Sequence, residues 1–421
     1  MFKQYTLPNG LRVILAPLHE TKAVTAMVLV KVGSRYETRA MNGVSHFVEH
    51  LMFKGTEKRP TSLAITKELD GIGAEYNAFT AKDHTGYYIK ANHEKIELVL
   101  DMLSDIIFHS TFHADDIDRE RGVIVEEINM YEDNPLMLME DLFEQTVYGD
   151  CPLGWSIAGP KSVVKKVSRK GLNDYYKRHY VPHQMLVAVA GNIGPEIELR
   201  VKHYFGTQGT PRQKYHFKKV VAEQRGPRVR VKHKDTEQVQ IALGFPGYSY
   251  ADKQLYALYL MSVILGGNMS SRLFMSIREK KGLCYFIRSS VNVYQDTGNL
   301  MIQAGLDKTR LKEAIKAIMA ELKKLREKGV TAAELRKAKD FLRGKLILEL
   351  EASDHVASWL SRQELLQDRI LTPAQLIKRL ERVSQSEIKT VAANLVRTTK
   401  TNLAIIGPFK QKEQFVDLLR I

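Results

Sequence analysis

Cysteine is nearly absent: the two present in 421 residues, Cys151 and Cys284, leave no disulfide framework and belong to no metal-like pair. That excludes a small stapled secreted fold and fits a reducing compartment. Long apolar runs are missing too. None approaches the ~20 residues needed to span a bilayer, so no membrane partner is expected. No leader is expected either, because Met1 to Leu7 runs directly into a strand-and-turn pattern without a basic-then-apolar or Arg-rich stretch. The expectation is a soluble, cytoplasmic protein. Acidic residues are outnumbered, 48 against 63 Lys and Arg, for a formal charge of +15. This makes a basic nucleic-acid-binding module the first function class to weigh. The basic residues are scattered over helical stretches such as Lys312 to Lys328, with no nucleic-acid motif among them. Solvated helix faces explain that pattern, and no nucleic-acid partner is expected.

The length exceeds what one core usually fills, so two domains are expected. An internal repeat supports this. Val167-Ser168 and Val383-Ser384, then Leu186 to Gly191 and Asn402 to Gly407, align at a constant offset of 216, each pair ending in an apolar strand-like run after a helical stretch. The join is expected between Gly206 and Gly226, where Gly206, Gly209, Pro211, Gly226 and Pro227 flank a basic, apolar-poor stretch. The expected domains are therefore 1–215 and 216–421. Alternating runs such as Leu11 to Leu15 and Thr25 to Val30 predict a hairpin start, then long helices, then more strands. That order gives an α+β fold of two duplicated domains, each a mostly antiparallel sheet layered with helices.

What is present points to one short segment, His46-Phe47-Val48-Glu49-His50. Residues four apart share a helix face with Cβ atoms about 5–6 Å apart, so both imidazoles can reach one ion. Val44, Phe47, Val48, Leu51 and Met52 recur at the spacing of a buried helix face, with Asn42 as the expected cap and Gly55 as the expected stop. A catalytic zinc takes three protein ligands and keeps a fourth position for water. Two histidines are one ligand short. The stretch Asp115 to Glu132 holds the best candidates, Glu120 and Glu127, seven apart and hence on one helix face, above an apolar stripe of Ile117, Ile124, Ile128 and Tyr131. One of the two can ligate while the other supports it.

These residues, with Asn42-Gly43, Leu51 to Thr56, Asn77-Ala78-Phe79-Thr80 and Glu120 to Glu127, resemble the pitrilysin-type inverted zincins. The similarity is strongest to the branch of mitochondrial processing peptidase and its bacterial relatives. A second match, Gly266 to Phe274 followed by Arg278 to Tyr285, extends it over nearly the whole chain. The resemblance implies Zn2+ held by His46, His50 and Glu127, with Glu49 as general base and Glu120 as the partner of a ligand. Glu126 is the rival third ligand; Glu127 is preferred because it keeps the seven-residue step, whereas Glu126 points about 100° away. It further implies that Arg278 clamps the substrate and Tyr285 donates to the developing oxyanion, and that Asn77, Ala78, Phe79 and Thr80 form an edge strand binding substrate backbone by strand addition. His84, a lone histidine, is not proposed as a ligand.

The expected activity is a zinc endopeptidase cleaving extended peptides or unfolded segments, in which Glu49 takes a proton from the attacking water and passes it to the leaving amine. The metal site falls in the first copy alone, since the offset puts Ser262, Leu265 and Gly266 where His46, Glu49 and His50 stand. The resemblance also implies a homodimer, or a heterodimer with a homologous subunit. The alternative within the same fold is a non-catalytic scaffold.

Overall fold

The computed structural model describes residues 2–209, 216–221, 224–367 and 369–420. Pro211 and the expected boundary at residue 215 lie outside the described residues. Among those described, eleven strands form two sheets. The first contains β1 (Lys3–Thr6), β2 (Arg12–Pro17), β3 (Ala23–Val30), β4 (Glu75–Thr80), β5 (Thr85–Asn92) and β6 (Met185–Gly191), in the order β1-β2-β6-β3-β5-β4. The second contains β7 (Arg228–His233), β8 (Gln238–Pro246), β9 (Cys284–Val293), β10 (Gly298–Asp307) and β11 (Asn402–Gly407), in the order β7-β11-β8-β10-β9. Without β1 the two orders are the same. Only β2–β6 and β7–β11 pair in parallel, so each sheet is mostly antiparallel, as expected. The repeat offset of 216 relates β2 to β7 and the helix Arg169–His179 to the helix Gln385–Leu395.

The first sheet is covered on both faces, which is why β6 is buried along its whole length. Alternation along β3 separates the two faces. Val24, Ala26, Val28 and Val30 join the core that also takes in Phe47, Val48 and Leu51. Thr25 points the other way, where its hydroxyl lies 2.8 Å from Ser353 Oγ at the start of the helix Ser353–Gln367.

That contact reveals an exchange. The chain divides into two compact units, one comprising Met1–Asn129, Trp155–Lys218 and Ile347–Ile370, the other Met130–Gly154, Lys219–Leu346 and Leu371–Ile421. The sheets follow the expected halves, but each unit takes one helix from the opposite half. Ser353–Gln367 packs on β3 and β6. Pro135–Tyr148 packs on the second sheet, with Met139 and Phe143 in one core with Ala242, Ala404 and Ile406. The two helices occupy equivalent places in the repeat, so the exchange is reciprocal. No helix among the described residues is long and apolar enough to cross a membrane.

Candidate metal centre

The centre is built on α1 (Val44–Leu51), which buries Val44, Phe47, Val48 and Leu51 in the core of the first unit. The helix starts at Gly43, whose φ of +102° and close approach to Ala158 O, 2.5 Å from where a Cβ would sit, suit glycine. Its first N–H groups are satisfied from outside the helix. Gly43 N–H (2.8 Å) and Ser45 N–H (2.7 Å) donate to the buried carboxylate of Glu37, and so does the Asn42 side-chain amide (3.0 Å). Burial pushes the Glu37 carboxyl up to about 7 against these donors. Asn42 therefore does not cap the helix as its position suggested; its side chain serves as a donor to the residue that does. The helix ends at Leu51, and Gly55, at φ +156°, lies in the turn beyond.

The second element is α2, the twenty-residue helix Ala114–Asp133. Ile117, Ile124 and Ile128 are buried as the stripe predicted, but Tyr131 is 37% exposed and falls outside it. Glu120 and Glu127 face α1 from two turns apart. Glu127 Oε2 lies 3.3 Å from His50 Nε2 and 3.6 Å from His46 Nε2, and the two Nε2 atoms are 3.3 Å apart. Ligand atoms of His46, His50 and Glu127 all fall within 4.8 Å of one another, and among the described residues no other group of three is so disposed. A tetrahedral ion with bonds of about 2.0 Å separates its ligands by roughly 3.3 Å, so the donor set fits zinc. Glu126 is exposed and takes no part.

Glu120 sits behind His50, with Oε2 3.1 Å from Nδ1. This is the carboxylate–histidine arrangement that fixes the ring and directs Nε2 to a metal. Its other oxygen accepts from Lys54 Nζ at 2.7 Å, a contact the sequence reading missed. Burial, then the His50 charge, hold His46 down to about 4. His50 goes the other way, up to about 9 despite its burial, because Glu120 and Glu127 both accept from it. The hydrogen bond from His50 keeps the Glu127 carboxyl low. Glu49 is raised by burial, although Thr80 donates to it.

That donor comes from β4. Among the described residues this strand pairs with β5 alone, at the end of its sheet. Thr80 Oγ1 donates to Glu49 Oε2 at 2.5 Å, which ties the edge strand to the candidate base. The Asn77 side-chain oxygen Oδ1 accepts from the Ala78 N–H (2.9 Å), and the Phe79 ring packs edge-on to His84. His84 is a buried core residue, its imidazole held down to about 3 by burial.

In the second unit, Arg278 lies on a single stretch of π-helix, Phe274–Glu279. Its guanidinium stands 4.7 Å from the Phe274 ring centroid and 5.7 Å from that of Tyr285, which is 75% exposed. The structure thus brings Arg278 and Tyr285 together. Ser262, Leu265 and Gly266 fall on the helix Leu255–Gly266, a run with no metal-ligating side chain.

Two family models match successive parts of the chain. Residues 12–161, which contain His46, Glu49, His50, Glu120 and Glu127, match the family described as Insulinase (Peptidase family M16). Residues 166–342 match the Peptidase M16 inactive domain. A Bacillus subtilis protein named as an uncharacterized zinc protease, YmxG, is 34% identical over 97% of this chain and 98% of its own length. A Streptomyces coelicolor protein, likewise named an uncharacterized zinc protease, is 33% identical over 98% of this chain and 90% of its own. The crystal structure of a protease from Helicobacter pylori superposes with a TM-score of 0.91 at 26% identity, covering 97% of this chain and 99% of that one. With identity beyond 30% along almost its full length, the chain belongs to peptidase family M16.

Proposed function

We propose that the chain is a zinc metalloendopeptidase, with Zn2+ held by His46, His50 and Glu127. The observation that carries this is the convergence of three ligand atoms within 4.8 Å, with Glu49 beside them on the same helix. When bound, zinc acidifies a water and polarises the carbonyl under attack. The protein's residues do the rest. Glu49, whose carboxyl is raised by burial, takes the proton of the attacking water and returns it to the leaving amine. Thr80 holds the Glu49 carboxylate in place, and Glu120 holds the His50 ring. The free edge of β4 binds an extended peptide by strand addition, which selects unfolded segments. Arg278 and Tyr285, stacked together, are assigned to the substrate backbone and the oxyanion. Relatives named zinc proteases support the reading, and the inactive-domain description attaches to residues 166–342, which hold none of the proposed ligands. The resemblance of Asn77 to Thr80 and Arg278 to Tyr285 supports a reading within the processing-peptidase branch of the family.

The test is zinc content by elemental analysis with cleavage of a quenched unstructured peptide, on wild type and Glu49→Gln side by side. About one zinc in both proteins, with hydrolysis slowed at least ~100-fold in the variant, is expected from loss of a general base. Wild-type activity in Glu49→Gln would overturn the mechanism. Absence of zinc from both would restore the non-catalytic scaffold.

A further inference from the structure

Arg278 is held by aromatic rings and given no acceptor. Its guanidinium stands 4.7 Å from the ring centroid of Phe274, a half-buried side chain packed against the core of the second unit, and 5.7 Å from that of Tyr285. Such contacts draw on the quadrupole of each ring and the charge of the guanidinium. They supply no oxygen to its five N–H donors. Among the described residues none accepts a hydrogen bond from Arg278, and the carboxylate within reach is that of Glu279, 4.0 Å away and 50% exposed. The Arg278 side chain is itself 36% exposed, so a ligand has access to it. Other arginines of this unit are committed: Arg272 donates to Glu334 and Gly329 O, Arg288 to Gln303, and Arg310 to Glu313.

The surroundings add charge of the same sign. Lys280 and Lys281 follow in the turn after the π-helix, both exposed, and Arg310 reaches the Gly282 carbonyl at 3.4 Å. The whole formal excess of +15 falls in residues 216–421, since residues 1–215 hold one more acidic than basic residue. A neutral backbone carbonyl has two lone pairs, so it takes at most two of the five donors and balances none of the charge. A carboxylate accepts two parallel N–H bonds from the guanidinium fork and balances the charge as well.

We propose that Arg278, held in place by Phe274, selects substrates that carry a carboxylate. Phe274 is a positioning residue, because it touches the guanidinium and acts through it. An Asp or Glu side chain and the C-terminus of a peptide share this chemistry. That the carboxylate arrives on a peptide rests on the function proposed above, so binding and cleavage are measured separately.

Binding is read by fluorescence anisotropy on the zinc-loaded, full-length Glu49→Gln protein. The probes are a labelled decapeptide of Ala and Gln blocked at both ends, versions with Glu replacing each Gln in turn, and the version ending in a free carboxylate. At least one acidic version should bind about tenfold more tightly than the blocked peptide, the worth of one hydrogen-bonded charge. Preference for a Glu version alone identifies an acidic side chain, and preference for the free acid alone identifies a chain terminus. Arg278→Gln should bring the ratio to about one, and Arg278→Lys, which keeps the charge without the fork, to about threefold or less. Phe274→Leu removes the ring and should lower the ratio about threefold, whereas Phe274→Tyr should retain it. A merely supporting Phe274 would weaken acidic and neutral peptides alike, and an unchanged ratio in Phe274→Leu would overturn its assignment. No saturable binding, equal binding of acidic and neutral peptides, or full discrimination in Arg278→Gln or Arg278→Lys would overturn the proposal. Cleavage of the same peptides by the zinc-loaded wild type separates it from the peptidase reading. Acid preference in binding without cleavage removes the peptidase and leaves the carboxylate site, and cleavage without acid preference does the reverse.

Discussion

Glu120 stands between two donors, and a neutral amide in its place can serve only one. Its Oε2 faces His50 Nδ1 at 3.1 Å and its Oε1 faces Lys54 Nζ at 2.7 Å, with the side chain just 6% exposed. Glu120→Gln preserves the shape but leaves a single carbonyl oxygen. The Lys54 ammonium has donors only, so the oxygen must turn to it and the amide NH2 must face His50 Nδ1. The ring then accepts at Nδ1 and carries its proton on Nε2, the atom that sits 3.3 Å from both His46 Nε2 and Glu127 Oε2. A ligand lone pair is lost. A hydrogen bond to a charged group is worth about 1.5–3 kcal/mol, so zinc affinity should fall roughly 10- to 150-fold, overlapping the range known for the outer partners of metal ligands.

Adding Lys54→Met frees the glutamine to turn. Its oxygen can then accept from His50 Nδ1–H, which restores about 1 kcal/mol or roughly fivefold, and loss of the ammonium charge favours the dication further. The double variant should therefore bind zinc more tightly than Glu120→Gln alone. Competition with a chromophoric chelator on wild type, both single variants and the double completes a double-mutant cycle. Additive losses, or a double variant weaker than Glu120→Gln, would refute the relay from Lys54 through Glu120 to His50.

Two further outcomes concern the same centre. In the metal-free protein His50 is raised from 6.5 to about 9, so its contribution to stability is fully present below about pH 6.5 and is lost as pH rises through about 9. His46 is already neutral near pH 7. Zinc uptake near neutral pH should thus release about one proton per chain, read by calorimetry in buffers of different ionisation enthalpy; heats that do not depend on the buffer would contradict the assignment. Thr80→Val removes the hydroxyl that donates to Glu49 and should lower kcat about tenfold, one charge-assisted hydrogen bond, at unchanged zinc content. Thr80→Ser should restore most of it, and a serine variant as slow as valine would show that packing, not the hydrogen bond, is at work.

The parts of the centre that were legible in the sequence share a cause: they are set by one helix at a time. Four-residue and seven-residue spacings fix which side chains share a face, so His46 with His50 and Glu120 with Glu127 could be paired before any fold was known. The parts that escaped arrive from elsewhere. Lys54 stands in the turn after α1 and reads as an ordinary surface lysine until Glu120, 66 residues later, comes to meet it. Thr80 is expected to serve the substrate through its backbone, and its hydroxyl in addition donates to Glu49, a contact that no spacing along one strand announces. Asn42 has the chemistry of a cap, but Glu37 competes for the same N–H groups with two oxygens and a charge. The constant offset of 216 carried through to paired strands and helices because duplication conserves spacing.

The exchanged helices were illegible for a different reason, and that reason makes a prediction. An apolar stripe such as Met139, Leu142, Phe143 and Val147 shows that a helix face is buried, but not against which sheet. Here each sheet is closed by the equivalent helix from the other half, so the contiguous segment 1–209 lacks Ser353–Gln367 and cannot cover one face of β3 and β6. Met27, Leu29 and Leu186, now nearly inaccessible, lie on those two strands. At about 25 cal/mol per Å², uncovering two or three such side chains costs several kcal/mol, a large share of the 5–15 kcal/mol that holds a typical domain together. Fragment 1–209 should therefore aggregate or remain partly unfolded when expressed alone, and co-expression with residues 216–421 should return a soluble complex that resists limited proteolysis. A monomeric, protease-resistant 1–209 fragment with native zinc affinity would show that the exchanged helix is dispensable and that the two halves fold as the contiguous domains the sequence suggested.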